Sequence, residues 1–210
     1  CKEKGVSLLG GETAEMPNVY ADNSYDIVGT IVGICDKKNI INGKDNIKEG
    51  DIVFGIASSG PHTNGYSLIR KILKDNKDTI SQLGLDLTEL VKPHRSYIKN
   101  YVELNELGVK MNALCHITGG GFKGNLIRVL PDDLSLDLRI LITEPFASLQ
   151  RLGNITDTEM YNVFNCGIGM VLVVDPKYLD LLIKNPEYKY LGKVVKRTEK
   201  ERVKIENGLW

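Results

Sequence analysis

From residue 51 onward, short apolar segments alternate with amphipathic helical patterns, and this alternation constrains the fold more than any other feature of the chain. The apolar segments predict strands at residues 52–57, 113–117, 136–142, 168–174, 190–195 and 203–205. The 3.6-residue periodicity predicts helices at residues 66–74, 95–107, 118–130, 156–164 and 176–184. Strands and helices that alternate in this way form layered α/β folds, because each helix must bury its apolar stripe against a sheet.

The first 44 residues differ from this pattern. Apolar segments at residues 6–9 and 25–35 predict two strands, but no helical pattern separates them. Polar turn clusters at residues 42–45 and 48–51 then precede the strand at residues 52–57. We therefore expect two domains, residues 1–44 and 45–210. Because the chain begins with Cys1 rather than Met, we expect it to be cut from a longer protein.

Composition limits the partners of the chain. The 210 residues carry 27 Lys and Arg against 27 Asp and Glu, and this balance argues against a nucleic-acid or anionic-membrane partner. The longest apolar run, residues 27–35, is well short of the roughly 18 residues that a membrane-spanning helix needs.

Cys35 and Cys115 fall in predicted apolar strands. This placement favours a role as small buried side chains in a protein of the reducing cytosol. For Cys166, beside a glycine, a nucleophilic role is the alternative to burial.

Loops rich in glycine and polar residues follow several of the predicted strands. In the first, residues 9–17, Gly10 and Gly11 allow a phosphate to approach the backbone, and Glu12 and Glu15 offer oxygen ligands to Mg²⁺. The alternative for this loop is a simple turn with two solvated carboxylates.

The second loop, residues 58–67, supplies short hydroxyl and amide donors and the titratable His62. It does not match a Walker A loop, because it lacks the Gly-Lys-Ser/Thr ending of that motif. His62 has either a structural role or a ligand or acid/base role. The third loop, residues 115–122, contains three consecutive glycines, whose entropic cost favours close approach of a ligand to the backbone. Residues 164–170 form a fourth, weaker loop.

Four ordered motifs, at residues 10–17, 58–67, 116–122 and 164–170, resemble the cyclo-ligases of purine biosynthesis, which make aminoimidazole ribonucleotide from formylglycinamidine ribonucleotide. The resemblance implies a cytoplasmic, homodimeric ligase that forms C–N bonds and uses ATP and Mg²⁺. It also implies that residues 45–210 form the C-terminal domain, a mixed sheet flanked by helices. Residues 1–44 would then hold the last strands of an N-terminal, ATP-binding domain that pairs into a barrel across the dimer.

The resemblance also implies roles for individual residues. His62, Asn64 and His116 would be catalytic, and Glu12 would bind the metal. The expected contacts to ATP or phosphate are Gly10, Gly11, Thr13, Ser59, Gly60, Thr118, Gly119, Gly120 and Gly121. The family reaction phosphorylates the formyl oxygen of the substrate, and a nitrogen then attacks the iminophosphate to close the ring. One departure is His94, where the family commonly has Thr.

Two alternatives stay open at this stage. The chain is also similar to other members of the same ATP-dependent superfamily, among them selenophosphate synthetase and the amidotransferase that acts one step earlier in the pathway. A chain with only part of the ATP site would alternatively serve as a non-catalytic binding or dimerisation module. We expect the isolated chain to be inactive for the same reason.

Overall fold

A computed structural model describes residues 1–78 and 85–209 of the chain. The chain divides into two compact units, Cys1–Ile40 and Ile41–Trp210. Each unit is described below by itself.

The second unit is built on one six-stranded sheet. Its strands are β1 (Ile52–Ala57), β2 (Met111–His116), β3 (Leu134–Arg139), β4 (Ile168–Val174), β5 (Tyr188–Lys196) and β6 (Val203–Glu206). They lie in the order β2-β4-β1-β5-β3-β6. Strands β3 and β6 pair in parallel, and all the other pairs are antiparallel. The mixed sheet confirms the predicted fold class. Strand β3 begins two residues and ends three residues earlier than predicted, whereas β1 and β4 have the predicted bounds.

Helices flank this sheet. They are α1 (Gly43–Asn46), α2 (Tyr66–Asp75), α3 (Leu87–Leu90), α4 (Ile98–Glu106), α5 (Gly121–Val129), α6 (Phe146–Gly153), α7 (Asp157–Val163) and α8 (Leu179–Leu182), with short 3₁₀ turns at Lys2–Lys4, Lys37–Asn39 and Pro176–Tyr178. Helix α7 begins as predicted, because the Thr156 side chain accepts the Glu159 amide N–H at 3.3 Å. Helix α6 was not predicted. Pro145 stands at its N-cap and makes no side-chain capping bond, so the usual start signal is missing.

The apolar runs of β1 and β4 are buried on both faces of the sheet. Within β1, Val53 belongs to a core formed with α2, α5, α6 and α7, whereas Phe54 belongs to a second core with Leu104 of α4. Adjacent residues point to opposite faces of a strand. A strand covered on both faces must therefore be apolar throughout, which explains why these two segments read as continuous apolar runs.

The first unit corrects two predictions. Residues 6–9 and 25–35 do not form strands, and Leu9 and Ile27 are 94% and 89% exposed. A strand requires a neighbour that takes its backbone hydrogen bonds, and the described residues supply none to these segments. Cys35, which we expected to be buried, is exposed for the same reason. Among the described residues, no helix combines the length and apolar character required to cross a bilayer.

Candidate active site

Three of the glycine-rich loops meet at one edge of the sheet because of strand direction. Strand β4 runs antiparallel to both β1 and β2, so its first residues lie beside the last residues of these two strands. Ile168 pairs with Ala57, and Met170 pairs with His116. The loop after β1, the loop after β2 and the loop before β4 therefore converge, although they are distant in sequence.

Asn165 joins two of these loops. Its side-chain oxygen accepts the Ser58 hydroxyl and the Gly167 amide, each at 3.0 Å, and its nitrogen donates to the Gly60 carbonyl at 2.8 Å. The residue is only 3% exposed. Buried polar groups that lose their partners are costly, so this side chain fixes the spacing of the loops. The fourth motif therefore has a structural role that the sequence did not reveal.

The loop after β1 directs the side chain of His62 toward the interior of the second unit. His62 and Thr63 have φ values of 52° and 62°, in the left-handed region that a β-branched residue rarely enters. The Thr63 hydroxyl and the Asn64 side-chain amide both donate to the His62 carbonyl at 2.6 Å, which holds the turn. Strained backbone of this kind persists only where the surroundings enforce it. As a result, His62 is 3% exposed.

All three histidines of the sequence lie together at this edge. The ring of His62 stacks on that of His94, with centroids 3.8 Å apart, and the His116 ring lies 4.9 Å from His94 and 6.1 Å from His62. Tyr97 is a further neighbour, 6.1 Å from His62 and 6.0 Å from His116. We call His62, His94 and His116 the histidine cluster.

Two members of the histidine cluster are held in the neutral form. Burial, followed by the charges of His94, His116 and Arg95, lowers the pKa of His62 to about 4. Burial and then His94 also lower the pKa of His116. Near neutral pH each ring therefore carries one proton and one lone pair, so each can accept or donate a proton.

Ser59 connects the cluster to the segment that carries His94. Its amide N–H donates to His62 Nε2 at 3.0 Å, and its hydroxyl lies 3.1 Å from the same nitrogen. The hydroxyl also donates to the Pro93 carbonyl at 2.8 Å and accepts the Arg95 amide at 3.0 Å. Within the described chain, the buried atoms His62 Nδ1 and His116 Nε2 have no hydrogen-bond partner. The cluster thus presents two unused ring nitrogens.

Helix packing explains one of the three consecutive glycines in the third loop. Gly121 has a φ of 56°, and a Cβ atom there would lie 2.0 Å from the Tyr161 carbonyl oxygen of α7. A Cβ atom on Gly119 would lie 3.1 Å from Asn64 Oδ1, so the second and third loops touch. The side-chain amide of Asn125 donates to the Gly121 carbonyl at 2.7 Å and fixes the start of α5. Of the three positions, Gly121 is glycine because of helix packing.

The second unit brings together most of the residues implied by the resemblance. They are Ser59, Gly60, His62, Asn64, His116, Thr118, Gly119, Gly120 and Gly121. Gly10, Gly11, Glu12 and Thr13 lie in the first unit, where they are exposed and the Thr13 amide donates to Glu12 Oε1 at 3.2 Å. The predicted ligand roles of all these residues remain predictions.

The structure also bears on two further residues of the sequence. His94 lies ahead of α4, which begins after Tyr97, and its ring stacks on that of His62. Cys166 is fully buried, and burial raises the pKa of its thiol well above the ordinary range. The structure therefore disfavours a nucleophilic role, which requires an accessible thiolate.

The fold and this edge define a class: a layered α/β domain that presents glycine-rich loops and neutral imidazoles at one end of a mixed sheet. Residues 48–204 match the family described as AIR synthase related protein, C-terminal domain. The chain belongs to this family.

Curated relatives agree with this assignment. The chain is 47% identical over 186 residues to a phosphoribosylformylglycinamidine cyclo-ligase of Nitrosospira multiformis, covering 86% of this chain and 52% of the relative. It is 43% identical over 223 residues to the enzyme of the same name from Nitrosococcus oceani, covering 99% and 61%. The protein of that name from Thermoanaerobacter pseudethanolicus is 46% identical over 189 residues, covering 86% and 55%. The chain thus spans between about half and two thirds of the length of these relatives.

Proposed function

We propose that the chain is the C-terminal part of a phosphoribosylformylglycinamidine cyclo-ligase, a ligase of purine biosynthesis that forms a C–N bond. The observation that carries the proposal is the convergence of His62 and His116 beside the triple-glycine loop, in a chain 43% to 47% identical to proteins of that name. The working protein is a cytoplasmic homodimer, as the resemblance implies. In this proposal residues 45–210 form the C-terminal domain and residues 1–44 the end of the N-terminal one.

Ring closure places defined demands on the residues at this edge. The formyl oxygen of the substrate becomes a phosphate ester, a neighbouring nitrogen attacks the same carbon, and the C–O bond breaks as inorganic phosphate leaves. The attacking nitrogen must lose a proton as the new C–N bond forms. A neutral imidazole of the histidine cluster can accept that proton, and the lowered pKa values keep both His62 and His116 in this form.

Backbone amides and short polar side chains at the same edge fit an anionic substrate. Asn64 and Thr118 are partly buried and carry hydrogen-bonding groups, and the glycines at 119 and 120 leave the start of α5 uncrowded by side chains. A helix N-terminus favours a phosphate, because its amides point outward and its dipole is positive there. We assign these groups to the phosphate of the substrate or of ATP.

The donors for Mg²⁺ lie in the first unit. Glu12 and Glu15 are exposed carboxylates, and hard oxygen ligands are what Mg²⁺ requires. When bound, the ion would screen the negative charge of the triphosphate. Gly10, Gly11 and Thr13 would hold the phosphates beside it.

The decisive experiment uses the complete protein that contains this chain. Formylglycinamidine ribonucleotide, ATP and Mg²⁺ are supplied, and aminoimidazole ribonucleotide is measured by chromatography. We expect ring closure, and we expect His116→Asn to reduce kcat by about 10²-fold or more, the range typical of a lost acid or base. Lys71→Ala, at an exposed position on α2, should leave kcat unchanged. Absence of ring closure by the complete protein would overturn the proposal.

Calorimetry on the chain itself tests the proposed division of substrate binding and ATP binding between the two domains. We expect the 210-residue chain to bind formylglycinamidine ribonucleotide without binding ATP, because most of the nucleotide site lies in the N-terminal domain. Turnover by this chain alone would contradict the division. Binding of neither ligand would contradict the assignment of the substrate site to the histidine edge.

A further inference from the structure

The histidine cluster has the composition of a transition-metal site. One ring nitrogen from each of its three members lies within 4.8 Å of the others. Imidazole nitrogen is the commonest protein ligand for Zn²⁺ and similar divalent cations, and three such ligands leave a fourth position open for water or a substrate group. The three residues come from three separate segments, so the fold rather than a local sequence pattern gathers them.

Among the described residues, the hydrogen bonds leave one nitrogen of each ring without a protein partner. The His94 Nδ1 atom lies 2.8 Å from the Arg95 carbonyl oxygen. A carbonyl only accepts, so this nitrogen carries the proton and Nε2 keeps its lone pair. Metal-binding histidines usually donate their other N–H to a carbonyl or similar acceptor, which fixes the tautomer.

The two remaining rings present the unused nitrogens described above. His62 Nδ1 and His116 Nε2 are buried and have no partner among the described residues. Buried polar atoms are normally satisfied, and an exception calls for an explanation. A metal ion shared with His94 would satisfy both atoms at once.

Metal binding requires one tautomer change at His62. The Ser59 amide donates to His62 Nε2 at 3.0 Å, which places the proton of the neutral ring on Nδ1. When the metal binds Nδ1, that proton must reside on Nε2 instead, where the Ser59 hydroxyl oxygen lies 3.1 Å away and can accept it. No net proton is gained or lost by the ring in this exchange. In that state the Ser59 amide N–H loses its acceptor, so metal binding costs one hydrogen bond at Ser59.

The cluster must also contract slightly around the ion. Zinc–nitrogen bonds of about 2.0–2.1 Å place tetrahedral ligands about 3.4 Å apart, compared with separations of up to 4.8 Å here. The exposed ring of His94 can make this movement, whereas His62 is held by its buried loop. The nearby Arg95 guanidinium opposes a cation, but it is paired with the Glu187 carboxylate, which offsets its charge.

We propose that His62, His94 and His116 form a three-imidazole site for a borderline divalent transition cation such as Zn²⁺ or Co²⁺, separate from the carboxylates assigned to Mg²⁺. The site depends on His94, whose ring supplies the third imidazole. The binding does not depend on the proposed cyclo-ligase activity. If that activity holds, an occupied site engages His62 and His116, and the cation inhibits ring closure.

The test uses Co²⁺ as a coloured probe and the 210-residue chain. Cys1→Ser and Cys35→Ser are introduced first, because these two thiols are exposed and could bind the metal themselves. We expect one Co²⁺ per chain, with the visible absorption bands of a tetrahedral nitrogen-rich site. His94→Thr should weaken binding by about 100-fold or more, since even residues behind a ligand contribute 10–100-fold.

Lys92→Thr is the matched control, because it places the same residue on the same exposed segment. It should leave the Co²⁺ affinity unchanged. Equal affinity in His94→Thr and in the parent chain would overturn the proposal, as would displacement of Co²⁺ by Mg²⁺ alone. Because His94 is exposed, its replacement leaves the folded core intact, and circular dichroism verifies this.

A second measurement does not depend on any variant. The chain contains only three histidines, so an NMR spectrum of the imidazole carbons resolves one signal from each. Addition of the diamagnetic Zn²⁺ should shift all three signals together at one equivalent. A shift confined to the exposed His94 would indicate surface binding and would overturn the proposal.

Discussion

Acidification should destabilise this protein through His62 before its carboxylates titrate. An unfolded histidine has a pKa of about 6.5, whereas burial and the neighbouring charges lower the pKa of His62 in the folded protein to about 4. Between these values the unfolded chain binds a proton that the folded chain does not. Stability therefore rises with pH across this window and is lost as the pH falls from 6.5 towards 4.

The size of the effect follows from the shift. One histidine contributes 1.36 kcal/mol per pH unit where only the unfolded state is protonated. From about pH 6.5 to 5 the loss would reach about 2 kcal/mol. Solvent near the exposed His94 side of the cluster screens part of the interaction, so we expect a stability loss of about 1 to 2 kcal/mol. His116 acts in the same direction, because its pKa is also lowered.

Urea unfolding near neutral pH and at about pH 5 measures this loss. His62→Gln keeps a neutral polar side chain that cannot titrate, so its stability should fall less steeply over the same window. His116→Gln serves as the matched comparison within the cluster, with a smaller change in slope. NMR titration of the three imidazole signals gives the pKa values directly. If His62→Gln and the parent lose the same stability, or if His62 titrates near 6.5, the reasoning is refuted.

Three further predictions concern the loops and helix ends. Gly121→Ala should lower the free energy of unfolding by about 2 to 4 kcal/mol, because its Cβ would overlap the Tyr161 carbonyl. Gly124→Ala, with no atom within 4 Å of its Cβ, should instead raise the free energy of unfolding by about 0.5 to 1 kcal/mol. Chemical denaturation of the two variants measures both changes. Asn165→Ala should cost about 2 to 3 kcal/mol by leaving buried groups of two loops unpaired; a melting temperature within a degree or so of the parent would contradict this account. Thr156→Ala should cost about 1 kcal/mol through the lost cap of α7, with Thr156→Ser close to the parent in the same thermal measurement.

The accuracy of the sequence predictions depended on how local the underlying interactions are. Strands β1 and β4 were predicted with their observed bounds, because both faces of each strand are buried and polar or glycine-rich turn residues flank each apolar run. The cap of α7 was predicted because Thr156 and Glu159 are three residues apart. The N-terminal segments at 6–9 and 25–35 were wrong as strands, since strand formation depends on a neighbour that local sequence does not describe.

Local sequence alone determined the layered α/β class and the positions of the glycine-rich loops, because these follow from apolar periodicity and from the backbone freedom of glycine. The roles of the site residues came from the resemblance to the family and remain predictions. Only the tertiary structure decided that His94 joins His62 and His116, that Asn165 fixes the loop spacing and that Gly121 is required by helix α7. Each of these contacts links residues far apart in the sequence. The Asn165 contact follows from the antiparallel placement of β4 beside β1, and no periodicity within one segment encodes such pairing.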